Sequence, residues 1–262
     1  QTGNTPGSED VLGEITTKNG AVMIALAGGT FRMGNNSGAP DESPVHEVTI
    51  APFWMDKHEV TQERYETLMM SNPSHFKGPQ NPIEQVRWSE AADYCNARSV
   101  EEGLKPCYDE VTYECNFDSN GYRLPTEAEW EFACRAGTTT QYDFGSDPRI
   151  LGRYGHSSEN SGDKTHPVGS LNPNRWGFYD LYGNVSEWCN DRYAPDYYVS
   201  SPGENPRGPT EGNTRVLRGG SWASSAENCR ASSRLFDDPG IADACFAKDT
   251  YGFRCVRSVF PQ

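Results

Sequence analysis

Apolar residues near the start of the chain recur at short intervals between glycine and proline residues, a pattern typical of short strands. The pattern predicts strands at residues 21–27, 30–33 and 45–50, and residues 52–55 continue the last of these. Residues 1–20 are polar and glycine-rich and have no period, so we predict a flexible N-terminal tail there.

Three stretches have helical start and stop signals, at residues 61–70, 89–103 and 126–137. The second helix would bury Ala92, Cys95 and Val100 on one face. The third has the clearest start, because Thr126 is an N-cap candidate and Glu129 stands at the third helical position, which together predict a capping box. No further helix is predicted after residue 137, where glycine, proline and aromatic residues dominate.

The 262-residue chain contains 26 glycine and 18 proline residues, so loops and turns should make up much of it. Its 6 tryptophan, 13 tyrosine and 11 phenylalanine residues can still build a core for one domain, predicted at residues 21–260. No run approaches the roughly 18 apolar residues of a membrane helix. The chain starts at Gln1, as a mature or truncated form would, which leaves room for a removed signal peptide or lipid anchor.

The formal net charge is −14 and the isoelectric point is about 4.8, which disfavours nucleic acid and anionic membranes as partners. The eight cysteines contain no C-x-x-C pair, which argues against a zinc ribbon or a thioredoxin-like site. Cys107 and Cys115 flank a short acidic stretch and could pair in an oxidising compartment. Small buried thiols are the alternative, and Cys95, Cys134 and Cys189 fit it at least as well.

Eight motifs follow one another along the chain, at residues 28–34, 60–65, 82–88, 122–131, 167–170, 177–188, 218–222 and 252–254. Together they resemble the formylglycine-generating-enzyme family, also called the sulfatase-modifying-factor family, over about residues 21–258. The resemblance implies an α+β protein with a loop-rich, C-type lectin-like fold built from few short helices and strands. That family contains enzymes, pseudo-enzymes and binding modules, so the fold alone does not decide the function.

The formylglycine-forming members carry two cysteines soon after a Gly-Gly-Ser motif and bind copper through their thiolates, which suit a soft cation. Counting from that motif at residues 219–221, Ser224 stands where the first thiol should be and Cys229 where the second could be. A hydroxyl is a poor ligand for Cu(I), and one thiol cannot supply two ligands. We therefore expect no copper and no enzyme. The alternatives are a copper-dependent oxidoreductase that uses Cys229 with a partner such as Cys245, and a structural pseudo-enzyme subunit.

Residues 180–188 resemble a calcium loop of the same family. In that loop, carboxylates matching Asp180 and Glu187 and main-chain carbonyls matching Gly183 and Val185 bind the metal. Hard oxygen ligands of this kind suit Ca²⁺. The resemblance thus implies a structural calcium ion, and the alternative is a tight turn with two solvated acids.

The C-terminal segment, residues 218–257, has ends that are typical of a constant framework and a middle part with a different composition. Its ends are Arg-Gly-Gly-Ser-Trp and Tyr-Gly-Phe-Arg-Cys-Val-Arg, whereas residues 223–247 are small, apolar and acidic without an obvious period. Mutation of the adenines of AAC or AAT codons cannot produce Trp, Gln, Lys, Glu or Met. About four of these are expected among the 25 residues, and only Glu227 occurs. Placement and composition resemble variable proteins diversified by retroelements, including the spirochaete type.

That resemblance implies a constant framework that carries exposed, variable side chains. Trp222, Arg230 and Arg234 are predicted framework residues, with Trp222 in the core and the two guanidiniums tying loops together. The predicted contact positions are Ala223, Ser224, Ser225, Ser232, Ser233, Leu235, Phe236, Asp237, Ile241, Ala244, Cys245 and Phe246. The leucine and the two phenylalanines among them would form a partner-binding patch if exposed together, and each alone fits a core position almost equally well.

The sequence therefore predicts a non-catalytic ligand-binding protein whose C-terminal segment is a diversified recognition surface. Its partner would be an unknown protein or surface ligand. The resemblance to variable proteins implies exposure on a bacterial cell surface through a lipid anchor that this sequence lacks, with residues 1–20 as a tether.

Overall fold

The computed structural model describes residues 10–240 and 248–259. The strands are β1 (Val11–Thr16), β2 (Val22–Leu26), β3 (Gly29–Met33), β4 (His46–Ile50), β5 (Phe53–Asp56), β6 (Ser186–Arg192), β7 (Arg215–Arg218), β8 (Leu235–Asp237), β9 (Tyr251–Gly252) and β10 (Val256–Ser258). The α-helices are α1 (Gln62–Met69), α2 (Trp88–Glu101), α3 (Glu127–Arg135) and α4 (Tyr197–Ser200), and 3₁₀ helices cover Pro40–Glu42, Pro148–Arg153 and Ala226–Cys229. These short elements, joined by long loops, confirm the predicted loop-rich α+β protein.

The strands of the described residues form three sheets. One has the order β1-β2-β5-β10 and is antiparallel throughout, and β3 pairs antiparallel with β4. The third sheet has the order β8-β7-β6-β9, in which only β6 and β9 run parallel. β8 therefore lies at an edge, and one side of it has no strand neighbour within the described residues.

The prediction of a flexible N-terminal tail is wrong for its second half. Residues 11–16 form β1, which pairs antiparallel with β2 and places Glu14 opposite Ile24. Alternate residues of β1 are half-buried, which is the two-residue period of a strand packed on one face. Pairing with β2 stabilises this strand, whose own apolar pattern is weak. Residues 1–9 lie outside the described residues.

The prediction that residues 52–55 continue the preceding strand is also wrong. β4 pairs with β3, whereas β5 lies in the other sheet between β2 and β10. Pro52 separates the two strands because it has no N–H to donate to a ladder. The N–H of Ala51 donates to Asn205 Oδ1 at 2.7 Å, so the chain turns between the sheets.

The predicted capping box of α3 is confirmed. Thr126 Oγ1 accepts from the N–H of Glu129 at 3.2 Å, and Glu129 Oε2 accepts from the N–H of Thr126 at 2.9 Å. The helix ends at Arg135, and Ala136 follows in the left-handed region with φ of 45°. The end therefore comes slightly before the predicted residue 137.

The predicted buried face of α2 is correct at Ala92 and Cys95 and wrong at Val100, which is 65 % exposed. Ser99 is buried and follows Cys95 by four residues, which is the spacing of one helix face. Val100 is rotated by about 100° from Ser99, and this rotation turns its side chain towards solvent.

Large aromatic side chains dominate the two clusters of the core. Trp130 belongs to one cluster, and Trp88 and Trp188 belong to the other. Three arginine side chains, those of Arg98, Arg218 and Arg254, are also fully buried. No helix of the described residues combines the length and apolar character needed to cross a membrane.

The cysteines of the described residues are free thiols. Cys95, Cys134 and Cys189 are buried, as the small-thiol alternative predicts. Cys107 and Cys115 do not form a disulfide bond, and both are free thiols. In the loop that contains them, the main chain of Tyr108 forms an isolated β-bridge with that of Cys115.

Candidate functional site

Two buried arginines fix the ends of the C-terminal segment. Arg218 Nη1 donates to Glu127 Oε1 at 3.1 Å and its Nη2 donates to Glu131, so one end is tied to α3. Arg254 forms a fork on Glu187, with two hydrogen bonds of 2.7 Å, so the other end is tied to β6. Forked guanidinium–carboxylate pairs fix orientation as well as distance.

Two further arginines anchor the middle of the segment, as predicted. Arg230 forms two hydrogen bonds of 2.7 Å with the carboxylate of Glu42. Arg234 Nε and Nη2 donate to Glu127 at 2.7 and 2.9 Å, and its Nη1 donates to the carbonyl of Asp41 at 2.9 Å. These two arginines therefore attach the middle of the C-terminal segment to residues that lie far earlier in the chain.

The anchoring carboxylates are ionised inside the protein. Burial raises the pKa of Glu42, but hydrogen bonds from Arg230, the main chain of Ala39 and Ser232, with the charge of Arg230, together outweigh it, and the pKa is below its usual value. Burial likewise raises the pKa of Glu127, and the charges of Arg234 and Arg218 reverse that effect. Each anchor is thus a full ion pair that depends on both partners.

Trp222 lies outside the core, and the prediction that it fills the core is wrong. Its side chain is only partly buried and belongs to neither core cluster. Its main-chain N–H donates to the carbonyl of Asn184 at 2.8 Å, and its indole N–H donates to the carbonyl of Asp249 at 3.0 Å. Phe76 packs edge-on against the ring at 5.4 Å. Its hydrogen-bond partners and its aromatic neighbour belong to loops, and these contacts hold it outside both core clusters.

A tight turn follows the Gly-Gly pair. Gly220 has φ of 69°, and a Cβ at this position would lie 2.7 Å from Cys229 Sγ. The hydroxyl of Ser224 accepts from the N–H of Ser221 at 3.0 Å, and the N–H of Ser224 donates back to the carbonyl of Ser221 at 3.0 Å. The side chain that stands where the family's first thiol is expected therefore closes the turn.

The predicted contact positions divide by exposure. Ala223, Ser225, Leu235 and Phe236 are exposed, and Ser224, Ser233 and Asp237 are partly buried. Ile241, Ala244, Cys245 and Phe246 lie outside the described residues. Glu227 and Asn228 are also exposed in the same tract, although their positions were not among those predicted.

Ser232 is not an exposed contact position, and that prediction is wrong. The residue is 2 % exposed. Its hydroxyl accepts from Arg230 Nη1 at 3.2 Å, and its carbonyl accepts from Arg218 Nη1 at 3.3 Å. Ser232 is therefore part of the framework. The carboxylate of Asp237 is also engaged within the protein, because Lys248 Nζ and the hydroxyl of Tyr251 both donate hydrogen bonds to its Oδ2.

Two exposed apolar side chains lie on the edge strand β8, one on each face of the sheet, because their pairing partners Leu217 and Val216 belong to different core clusters, so they do not form a single patch. Leu235 and Phe236 are 42 % and 45 % exposed. The ring of Phe236 stacks on Tyr193 with 3.8 Å between centroids, and the guanidinium of Arg234 lies over the rings of Tyr193 at 4.9 Å and Tyr198 at 4.3 Å. No sequence signal pointed to Tyr193, because only the fold brings its ring against Phe236.

Cys229 is fully buried at the end of a 3₁₀ helix. Burial raises the pKa of its thiol to about 12. The thiol is therefore protonated at neutral pH, whereas metal binding and redox chemistry use the thiolate. Its predicted partner, Cys245, lies outside the described residues.

The predicted calcium loop contains an unsatisfied carboxylate oxygen. Asp180 is 2 % exposed; its Oδ2 accepts from the N–H of Gly169 at 2.7 Å, and its Oδ1 has no hydrogen-bond partner within the described residues. Glu187 Oε2 accepts from both Arg254 and Trp130, which leaves spare acceptor capacity only on Oε1. These oxygens fit a hard cation, although no group of three or more His, Cys, Asp or Glu side chains is placed to share a metal in the part of the chain that is described.

The charges around this loop do not balance. Glu59, Asp180 and Glu187 are all buried, and Arg254 is the guanidinium that pairs within the group. Burial, and then the charges of Asp180 and Glu187, raise the pKa of Glu59 well above its usual value. Burial also raises the pKa of Asp180 to about 6. A proton or a cation is needed to offset the excess negative charge.

Residues 9–259 match the family described as the sulfatase-modifying factor enzyme 1-like domain. The chain belongs to this family. It is 33 % identical over 270 residues to the chaperone protein LppX of Paenibacillus barcinonensis, covering 90 % of this chain and 89 % of that protein. It is 31 % identical over 284 residues to the formylglycine-generating enzyme of Streptomyces coelicolor, covering 89 % and 88 % of the two chains.

The solved structure of Treponema denticola variable protein 1 superimposes with a TM-score of 0.86 at 32 % identity, covering 94 % of this chain and 99 % of that one. The predicted formylglycine-enzyme type of C-type lectin-like fold, and the resemblance to variable proteins, are therefore confirmed. Relatives named as an enzyme, a chaperone and a variable protein share the fold, so side chains must decide what this member does.

Proposed function

We propose that this protein is a non-catalytic ligand-binding protein whose C-terminal segment is a diversified recognition surface. One observation carries the proposal: Arg230 and Arg234 anchor the segment from beneath, while Ala223, Ser225 and Phe236 remain exposed above them. A surface built in this way can exchange its outer side chains without losing the fold. The ligand would be a protein or another surface component.

The contacts that the exposed residues make favour this interpretation. Ala223 donates to Ser221 Oγ at 3.3 Å and Ser225 accepts from the N–H of Asn228 at 3.0 Å, in both cases through the main chain. The side chains themselves are free to differ. Likeness to a variable protein along nearly the whole chain gives independent support.

The proposed source of this sequence diversity is a retroelement. The genes that lie next to the gene for this protein provide the test. We expect a nearby reverse-transcriptase gene and a second copy of the codons for residues 218–257 that carries adenines where the two copies differ. Absence of both would overturn diversification. Binding by the exposed positions could then still be measured directly with substituted protein.

Two features support the non-catalytic part of the proposal. Ser224 closes a turn through its hydroxyl, and Cys229 is a buried, protonated thiol. The alternative is a copper-dependent, formylglycine-generating oxidoreductase that uses Cys229. The similarity to the formylglycine-generating enzyme of Streptomyces coelicolor supports this alternative. Titration with Cu(I) separates the two. Tight binding that Cys229→Ser abolishes would favour the enzyme, and absence of binding would favour the display protein.

Exposure on a bacterial cell surface through an N-terminal lipid anchor is part of the same proposal. The likeness to the variable protein supports it. The charge of −14 argues against nucleic acid as the ligand. Antibody labelling of intact cells against lysed cells tests the location.

A structural calcium ion is a further part of the proposal. Asp180 Oδ1 and Glu187 Oε1, with the main-chain carbonyls of Gly183 and Val185, would hold it. When bound, the ion would offset the charge of the three buried carboxylates and fix the loop that supports Trp222 through Asn184.

A further inference from the structure

Three arginines line one small cavity that lies outside the C-terminal segment. The cavity has a volume of about 210 Å³ and is bordered by Arg192, Arg207 and Arg215. Arg215 begins β7 and Arg192 ends β6, so the register of the sheet places them opposite each other. Arg207 comes from the loop between these two strands. The fold therefore brings three guanidiniums together at one end of the inner strand pair β6–β7 and in the loop that joins these strands.

Arg215 is the most enclosed of the three, and burial lowers its pKa more than the nearby carboxyl groups of Asp191 and Glu114 raise it, since neither carboxyl group forms an ion pair with it. Its guanidinium lies 3.8 Å from the centroid of the Trp88 ring, and its Nη1 donates to the carbonyl of Asn190. No carboxylate of the described residues forms an ion pair with it, unlike Arg218 at the other end of the same strand. Burial lowers the pKa of Arg215 to about 10, so the group remains charged at neutral pH.

The other two arginines are also poorly neutralised. Arg207 is exposed, lies over the ring of Phe117 at 4.0 Å and makes no ion pair with the described residues. Arg192 donates to the carbonyl of Gly212 at 2.7 Å, and its Nη2 lies 3.7 Å from Glu114 Oε1. The side chain of Glu114 is 77 % exposed, so water screens this contact.

Uncharged residues also line the cavity. Asn190 Oδ1 accepts from the hydroxyl of Tyr108 at 3.0 Å, which leaves its amide N–H₂ group as a donor at the cavity. Thr210 borders the same space. Tyr113 and Phe117 form an aromatic border. Three guanidiniums and the Asn190 amide therefore border the cavity together with one carboxylate, that of Glu114.

We propose that this cavity binds a tetrahedral oxyanion group, a phosphate or a sulfate, either free or carried on a small molecule. Guanidiniums present paired N–H donors that match the oxygens of such groups, and a bound anion would supply the ion-pair partner that Arg215 lacks among the described residues. In a chain with a net charge of −14, three neighbouring arginines with one exposed carboxylate between them form a local positive site.

The test uses the intact protein and measures binding of sodium phosphate, sodium sulfate and sodium acetate at constant ionic strength. Calorimetry and thermal unfolding should show saturable binding of phosphate or sulfate, with acetate at least about tenfold weaker because it is planar and carries less charge. Phenyl phosphate separates the two sources of the group. Tighter binding than that of phosphate indicates a ring-bearing ligand at the aromatic border, and equal binding indicates the free ion.

Variants locate the binding. Arg207→Gln removes an exposed guanidinium without a hydrogen bond to the described residues, so it should fold normally and weaken phosphate binding about tenfold. Arg192→Gln should act in the same direction. Arg32→Gln is the control, because Arg32 is an exposed arginine without an ion pair elsewhere on the described surface. Arg215→Gln is less useful, since Arg215 also covers Trp88.

Three outcomes would overturn the proposal. They are absence of saturable phosphate or sulfate binding, equal binding of acetate, and unchanged binding in the Arg192→Gln/Arg207→Gln double variant. The cavity lies outside residues 218–257, so none of these outcomes bears on the recognition surface.

Discussion

Arg230 and Glu42 lie 188 residues apart in the chain, yet the guanidinium and the carboxylate share two hydrogen bonds of 2.7 Å. The carboxylate of Glu42 is 1 % exposed and the side chain of Arg230 is 13 % exposed. The pair therefore joins the 3₁₀ helix before β4 to the middle of the C-terminal segment, at a position where water screens little of the interaction.

Removing one partner of this pair should be costly. Arg230→Met leaves a buried carboxylate without its cation, and we expect a loss of about 3 kcal/mol in the free energy of unfolding, measured by urea denaturation. Arg149→Met is the matched control, because Arg149 pairs with Asp147 on the surface with 87 % of its side chain exposed. The control midpoint should not move. Equal effects of the two substitutions would show that the pair does not anchor the segment.

Two serines of the segment should respond in opposite ways to a large side chain. Ser225 is exposed and Ser232 is 2 % exposed beneath Arg218 and Arg230. Ser225→Tyr should change stability by less than about 0.5 kcal/mol, whereas Ser232→Tyr should lose about 2 kcal/mol or more through overpacking. Thermal unfolding compares them directly. A large loss in Ser225→Tyr would contradict the proposed freedom of the outer positions.

Stability should depend on pH through Glu84. The residue is fully buried, its Oε1 accepts from the N–H of Phe76 at 2.7 Å, and its Oε2 has no partner within the described residues. Burial raises the pKa of Glu84 from 4.5 to about 7. The folded protein holds this proton more tightly than the unfolded chain, so stability contributed by the protonated form is lost as pH rises from about 4.5 to 7.

Glu84→Gln isolates this effect because the amide oxygen can still accept from Phe76. We expect the wild-type protein to lose on the order of 2 kcal/mol relative to the variant between pH 5 and pH 8. Urea denaturation at each pH measures the difference. Parallel curves for the two proteins would show that Glu84 is ionised in the fold at neutral pH.

Removal of calcium should destabilise the protein if the proposed site is occupied. A chelator should lower the melting temperature, and added Ca²⁺ should restore it, because a cation offsets the charges around Asp180. Asp180→Asn should abolish this response. Asp163→Asn is the control, since Asp163 is exposed in a preceding loop. A melting temperature insensitive to chelator and to Ca²⁺ would rule the ion out.

Local signals were sufficient for some elements and insufficient for others. The start of α3 was predictable because Thr126 and Glu129 interact within one helical turn. β1 was missed because its stability depends on pairing with β2, which a single weak pattern does not reveal. The buried state of Ser232 was missed for the same reason, since Arg218 and the fold around it determine its surroundings.

The family motifs predicted the fold, and the resemblance to variable proteins predicted the arginine anchors, but neither predicted the partners of those anchors. Glu42 and Tyr193 carry no pattern that connects them with the C-terminal segment, although both lie beneath it. The arginine-lined cavity was likewise not predictable from any sequence pattern. Arg192, Arg207 and Arg215 are separated in sequence, and only the pairing of β6 with β7 brings them together.

The choice of arginine for the anchors has a genetic consequence. Arg230 and Arg234 stand inside the tract that is proposed to vary, and each holds the fold through its guanidinium. Arginine can be encoded without adenine, by CGC, CGG or CGT. A mutator that acts only on adenines would pass over such codons and alter their neighbours. The fold could therefore be protected from hypermutation at the level of the nucleotide sequence, without any selection among finished proteins.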